Sequence, residues 1–335
     1  MGARAYLRPY FPETRKLLNR KLFRFVNHFD QRGFPMHLTL VHDAVDAYKI
    51  GASAADKARL AFFEGLFEIQ QERADALASG SSYEGLSHED AEAAYIAFEP
   101  MLEKAPVAIE RVAFFGACKQ IADHLADNAG LDGDTAKALR EVDWYKIAGK
   151  LDLELAGSKP PEFIEESLKE FDSLDIGPEV PASIVMMVVA FALRCHLQPA
   201  AEQLFNAVSK ETRESPQREH PLLCPVCGSP AAASHVDAAS GIDGRPRNQY
   251  CSMCGTIWPF ERMRCGVCGT ENASRLHYFH VEGDSSHRLQ NCDECGQYQR
   301  MTFEEDLTIP LCMEVEDVVM AKLDAVALDP RFRAE

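Results

Sequence analysis

Absences frame this 335-residue chain before any motif does. The longest strongly apolar run, "IVMMVVAFAL" at 184–193, stops at Arg194. That is far short of the ~20 residues a bilayer span needs, so no membrane helix is expected. The opening stretch "MGARAYLRPYFPETRKLLNRKLF" lacks the apolar core and small-residue cleavage site of a secretory signal. Tyr6 stands where a myristoylation start needs Ser or Thr. Both features predict a cytoplasmic protein. Positive charge is scarce too: 35 Lys and Arg face 52 Asp and Glu, for a net charge of −17. That balance disfavours a phosphate backbone as partner, because non-specific nucleic-acid affinity comes largely from cation–phosphate contacts. No nucleophile–base pair or cofactor fingerprint stands out. The chain is therefore read as a non-enzyme, with no catalytic or cofactor-binding residue assigned.

What is present is ordinary in bulk and unusual in pattern. Hydrophobic residues at 46% and charged ones at 26% are globular proportions, and the length predicts about two domains. Residues 1–50 have no clear role, although "LNRKLFRFVNHF" has the look of a short helix. Residues 51–212 read as an all-α domain. Ser53 with Asp56, and Ser87 with Asp90, are Ser-x-x-acid helix starts, the first leading into Leu60, Phe63 and Phe67 at helical spacing. "PVAIERVAFFGACKQIADHLADNAG" predicts a helix stopped at Gly130, and "DTAKALREVDWYKIAG" another stopped at Gly149. "PPEFIEESLKEF" opens with prolines that a first helical turn tolerates. "PASIVMMVVAFALRCHL" is apolar nearly all round, as a buried central helix would be. The polar stretch 209–221 reads as a linker, assigned to 213–223. Residues 304–335 close the chain with a helix over "CMEVEDVVMAKLDAVAL".

Between linker and closing helix the sequence repeats itself. Cys224, Cys227, Cys251 and Cys254 recur 41 residues later as Cys265, Cys268, Cys292 and Cys295, with 23 residues between the two pairs of each unit. Val226 and Val267, Arg247 and Arg288, and Gln249 and Gln290 match across the same offset. Each Cys-x-x-Cys is followed by a glycine (Gly228, Gly255, Gly269 or Gly296), which permits the left-handed backbone behind the second sulfur. Two such knuckles complete a four-sulfur tetrahedral site suited to Zn or Fe. The repeat predicts two self-sufficient sites, one in 224–264 and one in 265–303. A cross-braced pairing of the first knuckle with the third remains the alternative. Closed four-thiolate sites are commonly structural, so a structural role and a sensing or partner-gated one stay open together. Four regular copies weigh against a thioredoxin-like use of any single pair.

Cys118 and Cys195 fall in apolar helical stretches and are expected as core thiols, and Cys312 as unligated. His235, His277, His280 and His287 lie between the knuckles, but the full set of eight thiols leaves them surface or supporting roles. The acidic "EFIEESLKEF" is expected to be a solvated helix face, with a partner surface as the alternative. Residues 224–300 hold seven Arg and no Lys against eight Asp or Glu, without the basic stripe of a nucleic-acid-binding ribbon.

"CPVCGSP", "YCSMCGTIWPFERMRCGVCG" with Trp258 behind its first knuckle, "NCDECGQY", the acidic "EEDL" and the helix "VEDVVMAKLDAVAL" together resemble the formate dehydrogenase accessory protein FdhE family. The resemblance covers about residues 55–330 and does not reach 1–50. It implies an all-α domain joined to two tandem rubredoxin-like (zinc-ribbon-like) metal-binding domains. It also implies two iron ions per chain, zinc being compatible with the same ligands, on the eight knuckle cysteines. As function it implies a cytoplasmic accessory factor that contacts the catalytic subunit of respiratory formate dehydrogenase during maturation, and it leaves self-association open. The competing readings are a rubredoxin-like electron carrier and a zinc-ribbon nucleic-acid-binding protein.

Overall fold

The computed structural model describes residues 36–328 apart from 81, 175, 178, 216–218 and 239–245. The short helix expected at "LNRKLFRFVNHF" lies outside the described residues. Among the described residues eleven α-helices precede the cysteine repeats: α1 (Leu38–Lys49), α2 (Ala54–Ser79), α3 (His88–Ala97), α4 (Met101–Lys104), α5 (Arg111–Asn128), α6 (Gly133–Glu141), α7 (Trp144–Ala148), α8 (Leu153–Ser158), α9 (Pro160–Lys169), α10 (Ala182–Ala207) and α11 (Lys210–Arg213).

Their starts are chemically specified. The Ser53 and Ser87 hydroxyls accept from the Asp56 and Asp90 amides at 3.1 Å each, satisfying amides that have no intrahelical partner. Pro160 and Pro161 occupy the first turn of α9. Gly130 follows α5 in the left-handed region at φ +66°. The single helix expected up to Gly149 is instead broken in two. Asp143 interrupts it by accepting from the Lys146 amide at 3.0 Å, capping a new helix where the first ends.

α10 is the axis of the helical half, with Val185, Val188, Val189, Leu193, Leu197 and Leu204 buried. It is long and apolar enough by composition to cross a membrane, yet most of its apolar window is buried against other helices. It packs on α2, α3, α5 and α9 around a core that includes Phe114, Ile121, Trp144 and Phe163. α1 carries Val41, Ala44, Val45 and Tyr48 at helical spacing, a signal that sequence reading missed amid the aromatic and proline-bearing residues of the first fifty.

Among the described residues the repeats form six short strands: β1 (Ala233–Val236), β2 (Arg247–Tyr250), β3 (Ile257–Phe260), β4 (Leu276–Phe279), β5 (His287–Cys292) and β6 (Tyr298–Phe303). Each repeat is an antiparallel meander, and the two fuse into one sheet of order β3-β2-β1-β6-β5-β4. The fusing contact, β1 on β6, is parallel, with Ser234 opposite Met301 and Val236 opposite Phe303.

A closing helix, α12 (Met313–Leu328), has two buried faces. Val315, Val318 and Val319 pack with Val41, Val45, Leu60 and Phe67 of α1 and α2. Met320 and Leu323 pack with Ala233, Tyr250 and Leu289 of the sheet. The stretch read as linker is tied down at both ends. Ser209 caps α11 through the Thr212 amide at 3.2 Å, and His220 Nδ1 lies 2.7 Å from Glu261 Oε1.

Candidate metal centres

Each knuckle is built by the same backbone bonds. The amides of Gly228, Gly255, Gly269 and Gly296 donate to the carbonyls of Cys224, Cys251, Cys265 and Cys292 at 2.9–3.0 Å. In return Cys224, Cys251, Cys265 and Cys292 donate to the carbonyls of Ser229, Thr256, Thr270 and Gln297 at 2.8–3.0 Å. Closing so tight a loop puts the glycines at φ between +68° and +85°, where a Cβ would be strained.

The structure brings the eight knuckle thiols together as two groups, Cys224, Cys227, Cys251 and Cys254 in one and Cys265, Cys268, Cys292 and Cys295 in the other. Cross-bracing does not occur. Within the first group Cys224 and Cys254 Sγ are 3.6 Å apart, and Cys227 and Cys251 Sγ 3.5 Å. In the second, Cys265 and Cys295 are 3.9 Å apart, and Cys268 and Cys292 3.8 Å. A tetrahedron with metal–sulfur bonds of about 2.3 Å has edges of about 3.8 Å, so both groups fit a metal ion. The separations are far too long for disulfides. Each group can hold one ion, and the donor set suits Zn and Fe alike.

Protonation follows from burial. Cys224 and Cys227 are pushed well above the ordinary thiol value because desolvation opposes their charge. At Cys254 desolvation acts the same way but is outweighed by hydrogen bonds from Cys224, Cys227, Cys251 and Thr256, and its thiol falls well below. Cys224 and Cys227 are thereby held as thiols, so filling the group with an ion must release their protons.

The centres differ in surroundings. All four sulfurs of the first are buried and belong to the helical core with Met101, Leu102 and Trp258. The otherwise unpaired amides of Met101 and Leu102 at the start of α4 donate to the Pro225 and Val226 carbonyls at 3.0 and 2.9 Å, stitching knuckle to helix. Trp258 Nε1 donates to the Pro221 carbonyl at 2.8 Å. In the second centre Cys265 and Cys292 are buried, Cys295 is half-buried and Cys268 is exposed, beside an exposed Val267.

None of the four histidines joins a thiol group. His235 and His277 pair with Asp237 and Asp293 at 3.0 and 2.8 Å. His280 is exposed, its Nδ1 3.1 Å from the Val281 carbonyl oxygen. His287 is buried between Asp284 and Glu316. Cys118 and Cys195 are buried in the helical core, and Cys312 is buried beside Glu314, outside both groups. Sequence reading took Arg194 only as the end of an apolar run. It is buried, donating to Tyr250 Oη at 2.6 Å, to the Ser252 carbonyl inside the second knuckle at 3.0 Å and to Glu314 Oε1 at 2.9 Å. A lone arginine in an otherwise apolar helix was the available signal.

The family model described as the FdhE central domain matches residues 223–262, which include all four cysteines of the first repeat. Protein FdhE of Escherichia coli O9:H4 (strain HS) is 30% identical over 135 residues, 40% of this chain and 40% of that one. Protein FdhE of Shigella boydii serotype 18 (strain CDC 3083-94 / BS512) is 30% identical over 104 residues, 31% and 32% of the two chains. The aligned portion thus spans about 40% or less of the length of these relatives. The crystal structure of the FdhE protein from Pseudomonas aeruginosa matches with a TM-score of 0.47 and 16% identity over 88% of this chain and 90% of that one. The resemblance to the FdhE family read from the knuckles is borne out by the family-model match and the sequence matches to the FdhE proteins.

Proposed function

We propose, from the premise that this chain is an FdhE relative carrying the FdhE central domain, that it is an accessory factor in the maturation of formate dehydrogenase. It binds the catalytic subunit of the respiratory enzyme in the cytoplasm and holds two metal ions, iron in the first instance, on Cys224, Cys227, Cys251, Cys254 and on Cys265, Cys268, Cys292, Cys295. The observation that carries the reading is the inequality of the centres. A sealed first centre supports a fixed clamp between helices and sheet, and an exposed second centre supports a face a partner can reach. An ion held by four sulfurs has no open position for substrate, so it supplies rigidity and, as iron, a one-electron couple. The chain's own residues shape and expose that face and do not turn over formate.

The exposed Cys268 also favours an electron carrier, since a thiolate at the surface shortens the path to a donor. The test separates the readings. A tagged catalytic subunit is used to co-purify wild-type protein and a Cys265→Ser, Cys268→Ser variant, and formate dehydrogenase activity is measured in cells lacking the gene. Retention of wild-type protein, loss of the variant and loss of activity are expected. Failure to co-purify together with full activity in the deleted cells overturns the accessory reading, and a reversible visible spectrum with a donor enzyme would then favour the carrier.

A further inference from the structure

Arg247 is a buried cation that makes no direct ion pair with a carboxylate among the described residues. Its side chain lies in the middle of the fused sheet at 1% exposure. Every hydrogen bond it makes among the described residues goes to a neutral acceptor. Nη1 donates to the Arg264 carbonyl at 2.8 Å, to Gln290 Oε1 at 3.3 Å and to the Glu261 carbonyl at 3.4 Å. Nε and Nη2 donate to Ser234 Oγ at 3.3 and 3.2 Å, and Nη2 also donates to Gln299 Oε1. The guanidinium carbon sits 5.0 Å from the Phe260 ring.

The other arginines nearby are answered. Arg264 pairs with Glu261 at 3.1 Å, Arg194 with Glu314 at 2.9 Å, and Arg288 with Asp306 at 2.6 Å. Arg288 is the counterpart of Arg247 in the duplicated unit, and its side chain is 27% exposed. Burial without a directly paired carboxylate therefore distinguishes Arg247 from these three and is not inherited from the repeat. Removing an unpaired charge from water costs several kcal/mol, so a charge of opposite sign is expected close by.

The contacts of Arg247 point to where that charge resides. The Arg264 carbonyl it holds belongs to the residue immediately before Cys265. The Gln299 amide it holds packs against Gly266 inside the same knuckle, so closely that a Cβ on Gly266 would collide with it. A four-thiolate centre carries a net charge of −2 with a divalent ion and −1 with a trivalent one. Burial lowers the Arg247 guanidinium to about 10, and the charges of Tyr278, Cys265 and, at longer range, Glu261 oppose the fall.

We propose that Arg247 is the resident counter-charge and positioning residue of the second metal centre, acting from the first repeat across the joint between repeats. This rests on the reading that the second cysteine group holds an ion. Arg247 touches no ligand sulfur. It acts through the Arg264 carbonyl and the Gln299–Gly266 contact, fixing the Cys265–Cys268 loop and placing positive charge beneath it.

The test compares full-length wild type with Arg247→Met, Arg247→Gln and Arg247→Lys. Protein purified without oxygen is challenged with a chelator, and the eight cysteines are followed by alkylation and peptide mapping. Cys265, Cys268, Cys292 and Cys295 are expected to become reactive about 10- to 100-fold faster in Arg247→Met and Arg247→Gln, while Cys224, Cys227, Cys251 and Cys254 keep wild-type rates. Arg247→Lys, which keeps the charge, should recover most of the protection. In iron-loaded protein the neutral variants should shift the potential of the second centre downward, because removing a cation disfavours the more negative reduced form. Equal acceleration at both centres, or no rescue by lysine, shows a purely architectural role and overturns the proposal. If Arg247→Met fails to fold, the lysine and glutamine variants decide alone. Wild-type protein with no ion at the second group defeats the metal reading itself, whereas two retained ions with unchanged kinetics in every variant defeat only the role of Arg247.

Discussion

Replacing His287 with alanine tests how much of the joint between helices and sheet rests on one buried ion pair. His287 Nε2 lies 2.7 Å from Glu316 Oε2, and Nδ1 lies 2.9 Å from Asp284 Oδ2. Glu316 is fully buried and accepts further from Tyr48 of α1 at 2.8 Å and Thr302 of β6 at 3.2 Å. Lys322 approaches Asp284 at 3.5 Å. Burial opposes protonation of His287, but hydrogen bonds to Asp284 and Glu316 outweigh it and raise the imidazole from 6.5 to about 9. That difference is worth ~3 kcal/mol when His287 is charged. Because the folded value is the higher one, the contribution is whole below pH 6.5 and is lost as the pH rises through about 9. Asp284 runs the other way. Burial would raise its carboxyl, but the hydrogen bond from His287 outweighs that and depresses it, so its share is present above pH 3.8 and is lost as the pH falls through the depressed value.

His287→Ala leaves the Glu316 carboxylate buried with hydroxyl donors only. The expected cost at pH 7 is roughly 3–5 kcal/mol, the range for breaking a buried pair from one side. Urea unfolding followed by circular dichroism at pH 7 and pH 10 measures it, with Glu316→Gln completing a double-mutant cycle. The gap between wild type and His287→Ala should narrow at pH 10, where wild-type His287 is neutral, and the double variant should cost less than the sum of the singles. A cost below about 1 kcal/mol at pH 7, or one unchanged at pH 10, refutes the assignment of this pair as the anchor of α12.

The two cysteine groups should respond unequally to serine substitution. Cys224→Ser with Cys227→Ser unsettles the helical core, lowering helical circular dichroism and ion content together, whereas Cys265→Ser with Cys268→Ser removes one ion of two and leaves helicity near wild type. Loss of both ions from either double variant, read by metal analysis, contradicts independent sites. Gly157→Ala should destabilise by about 1–3 kcal/mol in urea unfolding, because the added Cβ would collide with the Val107 carbonyl oxygen, which is backbone and cannot swing aside. A neutral substitution there would show that α8 is free to shift.

The cysteine pairs were legible because a knuckle is a local object: spacing, glycine and period specify its ligands without reference to the rest of the chain. Helix starts were legible for the same reason, Ser53 and Ser87 bonding amides three residues on. What escaped was non-local. Parallel pairing of β1 with β6 joins residues more than sixty positions apart, and nothing in either four- to six-residue strand announces its partner. The break between α6 and α7 turned on whether Asp143 caps or merely follows, which tertiary packing of Trp144 decides. The buried roles of Arg194, Arg247 and His287 were hidden because charged residues are presumed exposed, and only the fold reveals what encloses them.

The manner of fusion explains why duplication does not yield equivalent centres. In the 41-residue offset β1, β2 and β3 correspond to β4, β5 and β6. The joint therefore sets the first strand of one repeat against the last strand of the other. Such a head-to-tail contact uses different surfaces of the two units, whereas a twofold contact would give both the same surroundings. The first repeat consequently turns its knuckles into the helices, where α4 and Trp258 seal them, and the second keeps Cys268 at the surface. α12 then closes across the sheet onto α1 and α2, so His287, Glu316 and the α12 packing anchor the second repeat away from its knuckles. A centre whose repeat is anchored elsewhere can empty or open without unfolding its surroundings. That freedom is available to the second group and denied to the first, and a duplicated module gains it only by joining its copies unequally.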